Sequence, residues 1–125
     1  NEINSIANSN SIGMTLINSN EAKRENADSF EKMKERSLKM NYETTYLLDE
    51  GNKLADAFGA STTPHIFLFN QDLKLVYKGA IDDNVDSKKL VKSKWLSDAL
   101  KNLGAKKEIN PSTTRNSGCS IKRKN

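Results

Sequence analysis

The stretch Gly59–Gly79, GASTTPHIFLFNQDLKLVYKG, decides the fold. Its centre, His65-Ile66-Phe67-Leu68-Phe69, is the most hydrophobic run of the chain and predicts a buried, central strand. Asn70-Gln71-Asp72 supplies turn residues. Leu73 to Lys78 then alternates as a second strand does, and Gly79 closes it. A connection this short predicts an antiparallel hairpin. Ser61-Thr62-Thr63-Pro64 leads into the hairpin. Proline lacks the backbone N–H and tolerates a cis bond far better than other residues.

Upstream, Asn52 is positioned to cap a short helix from Lys53 to Phe58, with Leu54, Ala55 and Phe58 inward and Gly59 at its left-handed C-terminal position. Thr44 to Leu48 is β-branched and aromatic and reads as a strand before the Asp49-Glu50-Gly51 turn. Asp28 and Glu31 have the spacing of a capping box and predict a helix from Ser29 to Met40, with Phe30, Met33, Ser37 and Met40 on one face. Asn20 to Ala27 is a polar loop. Met14 to Ile17 reads as a buried strand ending at Asn18-Ser19-Asn20, and Ile3, Ile6 and Ala7 mark the tail of an amphipathic helix.

Downstream, Asp82 to Lys92 is a polar loop. Lys94 to Leu103 is the last helix, with Trp95, Leu96, Ala99, Leu100 and Leu103 on one stripe and Gly104 as its stop. The order of elements predicts an α/β fold, a mixed sheet flanked by helices. A complete sheet needs at least one further buried strand before Asn1, so the fold reads as N-terminally incomplete. Residues 1–104 are expected as the domain, and 105–125 as a basic, flexible tail draped on the surface.

With 125 residues the chain accommodates one domain. Charge placement limits what its net +4 means. Through Leu103 there are 14 Lys and Arg against 15 Asp and Glu; from Gly104 onward there are 6 against 1. The basic character belongs to the tail, which has no aromatic residue interleaved for base stacking, so no nucleic-acid partner is expected. No apolar run approaches the roughly 18 residues of a membrane span. One His and one Cys are too few for a zinc site, and no intrachain disulfide can form. Asp82, Asp83 and Asp86 lack calcium-loop spacing and read as a solvated loop. No metal or organic cofactor is implied. A lone thiol is compatible with cytoplasmic and with periplasmic or secreted settings, so compartment stays open, as does oligomeric state.

The Gly59–Gly79 segment resembles the thioredoxin-like superfamily, and within it the peroxiredoxin-related AhpC/TSA-type redoxins. "INSN" after the first strand, "DSFEKMK", "LLDEGNKLADAFGA", "TTPHIFLF", "IDDN" and the C-terminal "SGCSIK" match that group's pattern in order and spacing. The resemblance implies a thiol–disulfide oxidoreductase or peroxiredoxin-like antioxidant protein acting on a protein or small-molecule disulfide or peroxide. It also implies that Pro64 is cis and faces a redox cysteine, with Thr62, Thr63, Pro64 and His65 shaping the substrate face. A cis bond there leaves the preceding backbone free to pair with an extended substrate.

Two departures stand beside this. The family's first strand and reactive-cysteine helix would lie before Asn1, and some members carry a cysteine where this chain has Thr62. The isolated chain is therefore expected to be inactive, and a non-catalytic thioredoxin-like binding module is the alternative. Pro64 is either that cis residue or an ordinary strand-entry proline. His65 either tunes a reactive sulfur or is a hydrogen-bonded structural residue. Cys119, between Gly118 and basic residues, is either a resolving thiol or a chemically unused one.

Overall fold

The computed structural model describes residues 2–20, 29–40, 45–84, 88–115 and 119–121. They form a small mixed α/β protein. The residues group into two units: Gly13–Ser61 with the stretch from Ser120, and Glu2–Ile12 with Thr62–Cys119.

In the first unit, β1 (Thr15–Asn18) and β2 (Thr45–Leu48) run parallel, Thr15 opposite Thr45 through Asn18 opposite Leu48. Parallel neighbours need a crossover, and α2 (Phe30–Lys39) lies between them in sequence. Its cap is Ser29, whose hydroxyl accepts from the Lys32 amide at 3.1 Å. The expected cap, Asp28, lies outside the described residues. With Ser29 as cap, Glu31 falls one position too early to complete a capping box. The predicted face is only partly covered: Met33 is buried, while Phe30, Leu38 and Met40 are exposed. Lys34 sits 4.5 Å from the Phe30 ring centroid and pairs with Glu31 at 3.4 Å. Such exposed pairs contribute only about 0.3–0.5 kcal/mol.

Asp49 organises the end of β2. Its amide donates to the Asn18 carbonyl at 2.9 Å, extending the β1–β2 ladder. Its carboxylate accepts from the Leu54 and Ala55 amides, both at 2.9 Å, and from the Ser19 hydroxyl at 2.7 Å. Asp49 thus caps α3 (Lys53–Phe58), the role expected of Asn52. The reason is the 3-10 turn Glu50–Asn52, where Gly51 at φ 67° folds the chain back and aims Asp49 at the helix. Asn52 itself is left-handed at φ 58° and donates instead to the Ser19 carbonyl. Gly59 ends α3 at φ 75°, as its sequence position predicts.

The second unit holds α1 (Glu2–Ser9), β3 (Thr62–Thr63), β4 (Ile66–Phe69), β5 (Leu75–Gly79) and α4 (Trp95–Gly104). β4 and β5 form the expected antiparallel hairpin, Ile66 opposite Gly79 and Leu68 opposite Tyr77, with an irregularity at Leu68/Phe69. The Asn70 side chain builds the turn, accepting from the Asp72 and Lys74 amides at 2.9 and 3.0 Å. Among the described residues β4 pairs only with β5, so it is half of a two-stranded ladder and not the predicted central strand. β1–β2, β4–β5 and the pairing of β3 with β6 (Cys119–Ser120) are separate ladders.

α1 and α4 pack together, with Ala7, Leu96, Ala99 and Leu100 buried. Gly104 is the last residue of α4 and not its stop. A side chain there would overlap Asn10. Beyond α4, Ser112–Thr114 is fixed to the edge of β5: the Lys78 amide donates to the Ser112 carbonyl at 3.0 Å, and the Thr114 amide to the Lys78 carbonyl at 3.1 Å. Gly79, at φ 145°, permits this approach, because a Cβ there would stand 2.8 and 2.9 Å from the Thr114 backbone oxygen and nitrogen.

Two stability outcomes follow from these contacts. Gly79→Ala combines a strained φ with an overpacked contact, so denaturant titration should show a loss of about 2–4 kcal/mol. Asp49→Ala orphans two helix amides and a hydroxyl, and the same titration should show a loss of about 2–4 kcal/mol. Asn52→Ala, which caps no amide, should cost less.

Candidate functional site

A cavity of about 460 Å³ opens in the second unit. Its apolar wall is Ile3 and Ile6 of α1 with Pro64, Ala80, Ile81 and Val91. Its polar lining is Glu2, Asp82, Asn84, Lys88, Lys94 and Ser97. The lining thus combines six apolar residues with six polar or charged ones.

The walls are positioned by hydrogen bonds that begin at Tyr77. Its side chain is fully buried and its hydroxyl donates to the Ala80 carbonyl. Burial pushes the Tyr77 hydroxyl's pKa up, so it remains a neutral donor. The Ala80 amide donates to the Thr114 hydroxyl at 3.0 Å, and the Leu96 amide to the Ile81 carbonyl at 3.0 Å. The loop after Ile81 is closed by its own carboxylates. Asp82 accepts from the Asn84 amide at 3.0 Å and Asp83 from the Lys92 amide at 2.9 Å. That backbone bond from Lys92, with a further one from Ser93, holds the Asp83 carboxyl below its usual range. Asp86 lies outside the described residues. Among those described, no three His, Cys, Asp or Glu side chains converge as a metal site does.

At the rim, Lys88 donates to the Glu2 carboxylate at 2.7 Å. This bond and the charge of Lys88 pull the Glu2 carboxyl down, and Lys94 adds to the effect. Glu2 in turn raises Lys88.

The predicted site residues are distributed unevenly around this cavity. Pro64 is in its wall. Thr62 is half-buried in β3, and Thr63 shares that strand, its side chain lying outside the described residues. The isomer of the Thr63–Pro64 bond therefore also lies outside them; the described cis bond is Asn110–Pro111. His65 is not in the lining. Its ring stacks on Phe67 at 4.5 Å with a 32° tilt, and its buried Nδ1 has no hydrogen-bond partner among the described residues. The hydrogen-bonded structural role expected for it is therefore not seen at that nitrogen. Burial, then the charge of Lys78, lowers the His65 pKa. The Cys119 backbone pairs with β3 through β6, and the adjoining Ile121 amide donates to the Ser61 carbonyl at 3.0 Å; the Cys119 side chain lies outside the described residues.

Sequence reasoning missed Ile3, Ile6, Lys88, Lys94 and Ser97 as site residues. Ile3 and Ile6 carried a signal, their helical spacing, but it read as core. Glu2 and Lys88 stand 86 positions apart, and nothing local announces such a pair.

No family model and no curated protein matches the chain. Solved structures do. A hypothetical protein from Sinorhizobium meliloti 1021 superposes with a TM-score of 0.87 at 27% identity, covering 98% of this chain and 68% of that one. An uncharacterized conserved protein from Geobacillus kaustophilus superposes with a TM-score of 0.82 at 32% identity, covering 98% of this chain and 67% of that one. The chain belongs to the family of the Geobacillus kaustophilus protein. This family member spans about two thirds of the length of both neighbours. Among its described residues no helix is long and apolar enough to cross a membrane.

His65 gives this family member a pH-dependent stability. Its folded-state pKa lies below its unfolded value near 6.5, so the unfolded chain takes up the proton more readily. The stabilisation is complete above about pH 6.5 and is lost as pH falls through the lower folded value. Melting midpoints should fall between about pH 7 and pH 5, and His65→Gln should flatten that slope. An unchanged slope in the variant would remove His65 as its cause.

Proposed function

We propose that this chain is part of a thioredoxin-like thiol–disulfide oxidoreductase or peroxiredoxin-like protein, with Thr62, Thr63, Pro64 and His65 forming the substrate face. The observation that carries the reading is the pairing of β3, immediately before Pro64, with β6, which bears Cys119. The parallel β1–α2–β2 unit followed by a hairpin and a closing helix supports it as well, since that order suits a thioredoxin-like arrangement.

The chemistry needs a reactive cysteine other than Cys119, which these 125 residues do not contain. That partner's thiolate takes one oxygen from a peroxide; the O–O bond breaks, water or an alcohol leaves, and a sulfenic acid remains. The Cys119 thiolate then attacks that sulfur, an S–S bond forms, and hydroxide leaves as water after protonation. An external dithiol reduces the bond, becoming a disulfide itself. In this scheme Cys119 is the resolving thiol.

The test is made on the protein encoded by the whole open reading frame. A cysteine encoded before Asn1 is expected, and one equivalent of peroxide should join it to Cys119, as read by non-reducing peptide mass mapping. Cys119→Ser should abolish that cross-link. The 125-residue chain alone should consume no peroxide and reduce no insulin disulfides. Lack of a second cysteine would reject the enzyme and favour a non-catalytic thioredoxin-like binding module. A second cysteine that never joins Cys119 would reject the resolving role.

A further inference from the structure

We propose that the open edge of β1 takes a further strand, parallel to β1 and supplied by residues encoded before Asn1. Three features of the first unit mark that edge as one that a strand covers.

The first is where the backbone of β1 points. The Asp49 amide donates to the Asn18 carbonyl, so Asn18 turns its backbone groups towards β2. Successive residues of a strand turn theirs to opposite edges, so Thr15 and Ile17 present N–H and C=O to the other side. There β1 has no strand beside it among the described residues. The second is the composition of that edge. Edges left in solvent are commonly blunted by charge, proline or a bulge. Thr15-Leu16-Ile17-Asn18 carries neither charge nor proline, and its register with β2 is regular. The third is burial. Parallel strands are usually covered on both faces. Tyr46 accepts from Arg36 of α2 at 3.2 Å and shares a groove with Met33 and Leu38, so α2 lies on the face of Tyr46 and Leu16. Ile17 and Leu47, opposite each other on the other face, are 39% and 47% exposed.

The order of elements names the source of the strand. α1 leads through residues 10–14 into β1, as α2 leads into β2. A helix entering a parallel strand through a short connection is the second half of a β-α-β unit, whose first strand precedes the helix. That first strand comes before α1, which begins at Glu2. Strands consecutive in sequence are most often neighbours in the sheet, which places it beside β1. The solved relatives have length to spare for it, since this chain spans 68% and 67% of theirs. β1 then becomes the centre of a three-stranded parallel sheet. The inference does not depend on the thiol chemistry proposed above, because it concerns the sheet edge and no cysteine.

The test is amide hydrogen exchange, followed by NMR on the protein encoded by the whole open reading frame. The Ile17 amide should exchange at least about a hundredfold more slowly than an open amide, at a rate independent of protein concentration. Cross-strand nuclear Overhauser contacts should run from Ile17 to residues encoded before Asn1, in the parallel pattern. Ile17→Lys should lower the folded-to-unfolded ratio at least about tenfold in a denaturant titration, because its charge falls inside a sheet. Leu38→Lys, at a side chain on the surface, should change that ratio less than about threefold. A freely exchanging Ile17 amide overturns the proposal. Protection that grows with concentration also overturns it and makes a second copy the occupant. Contacts that run antiparallel, or to residues after Asn125, overturn it too, as does an Ile17→Lys as mild as Leu38→Lys. The expected contacts in a protein with no cysteine before Asn1 would uphold the strand and remove only the thiol chemistry.

Discussion

The Thr114 hydroxyl reaches both the Ala80 amide and the Tyr77 hydroxyl because residue 79 has no side chain to keep it away. That absence is the constraint on which the second unit depends. It lets Ser112–Thr114 pair along Lys78, and it seals the polar end of the most buried aromatic residue. A phenol hydroxyl left unpaired inside would cost about 1–3 kcal/mol. Tyr77 instead meets both Ala80 and Thr114, so a large apolar ring is buried without that penalty.

The consequences run outward from the hairpin to the cavity. Ala80 is pinned by Thr114, and the next residue, Ile81, accepts from the first turn of α4. The cavity wall and the helix start that faces it are thus set by one continuous run of hydrogen bonds. The surface ion pairs contribute little by comparison: Lys32–Glu35 and Lys34–Glu31 are over half exposed, and water screens them.

In the first unit a single carboxylate has the equivalent role. Asp49 joins the end of the β1–β2 ladder to Ser19 and to the start of α3, so three backbone segments share one buried anion. Capping by Asp49 from five and six residues away cannot be inferred from Asn52 preceding Lys53. It requires the reversal at Gly51, whose φ of 67° only the folded backbone reveals. The family comparison fits this division of labour: the α/β architecture extends to proteins 27% and 32% identical, at a level where few individual contacts need be shared.

Local pattern by itself determined the element types: the alternation expected over Leu73–Lys78, which forms a strand from Leu75 onward while Leu73 stays in the turn at φ 60°, the helical spacing of Ile3, Ile6 and Ala7, and the C-terminal role of Gly59. These depend on side-chain period and on backbone preferences of single residues, which neighbours in sequence suffice to express. The candidate site was legible only at Pro64. Glu2, Lys88, Lys94 and Ser97 became a site only when α1, the loop after β5 and the start of α4 closed around one volume. Hydrogen bonds across long sequence separations, such as Tyr77 to Thr114, are chosen by packing and not by adjacency, so only the tertiary structure decided them.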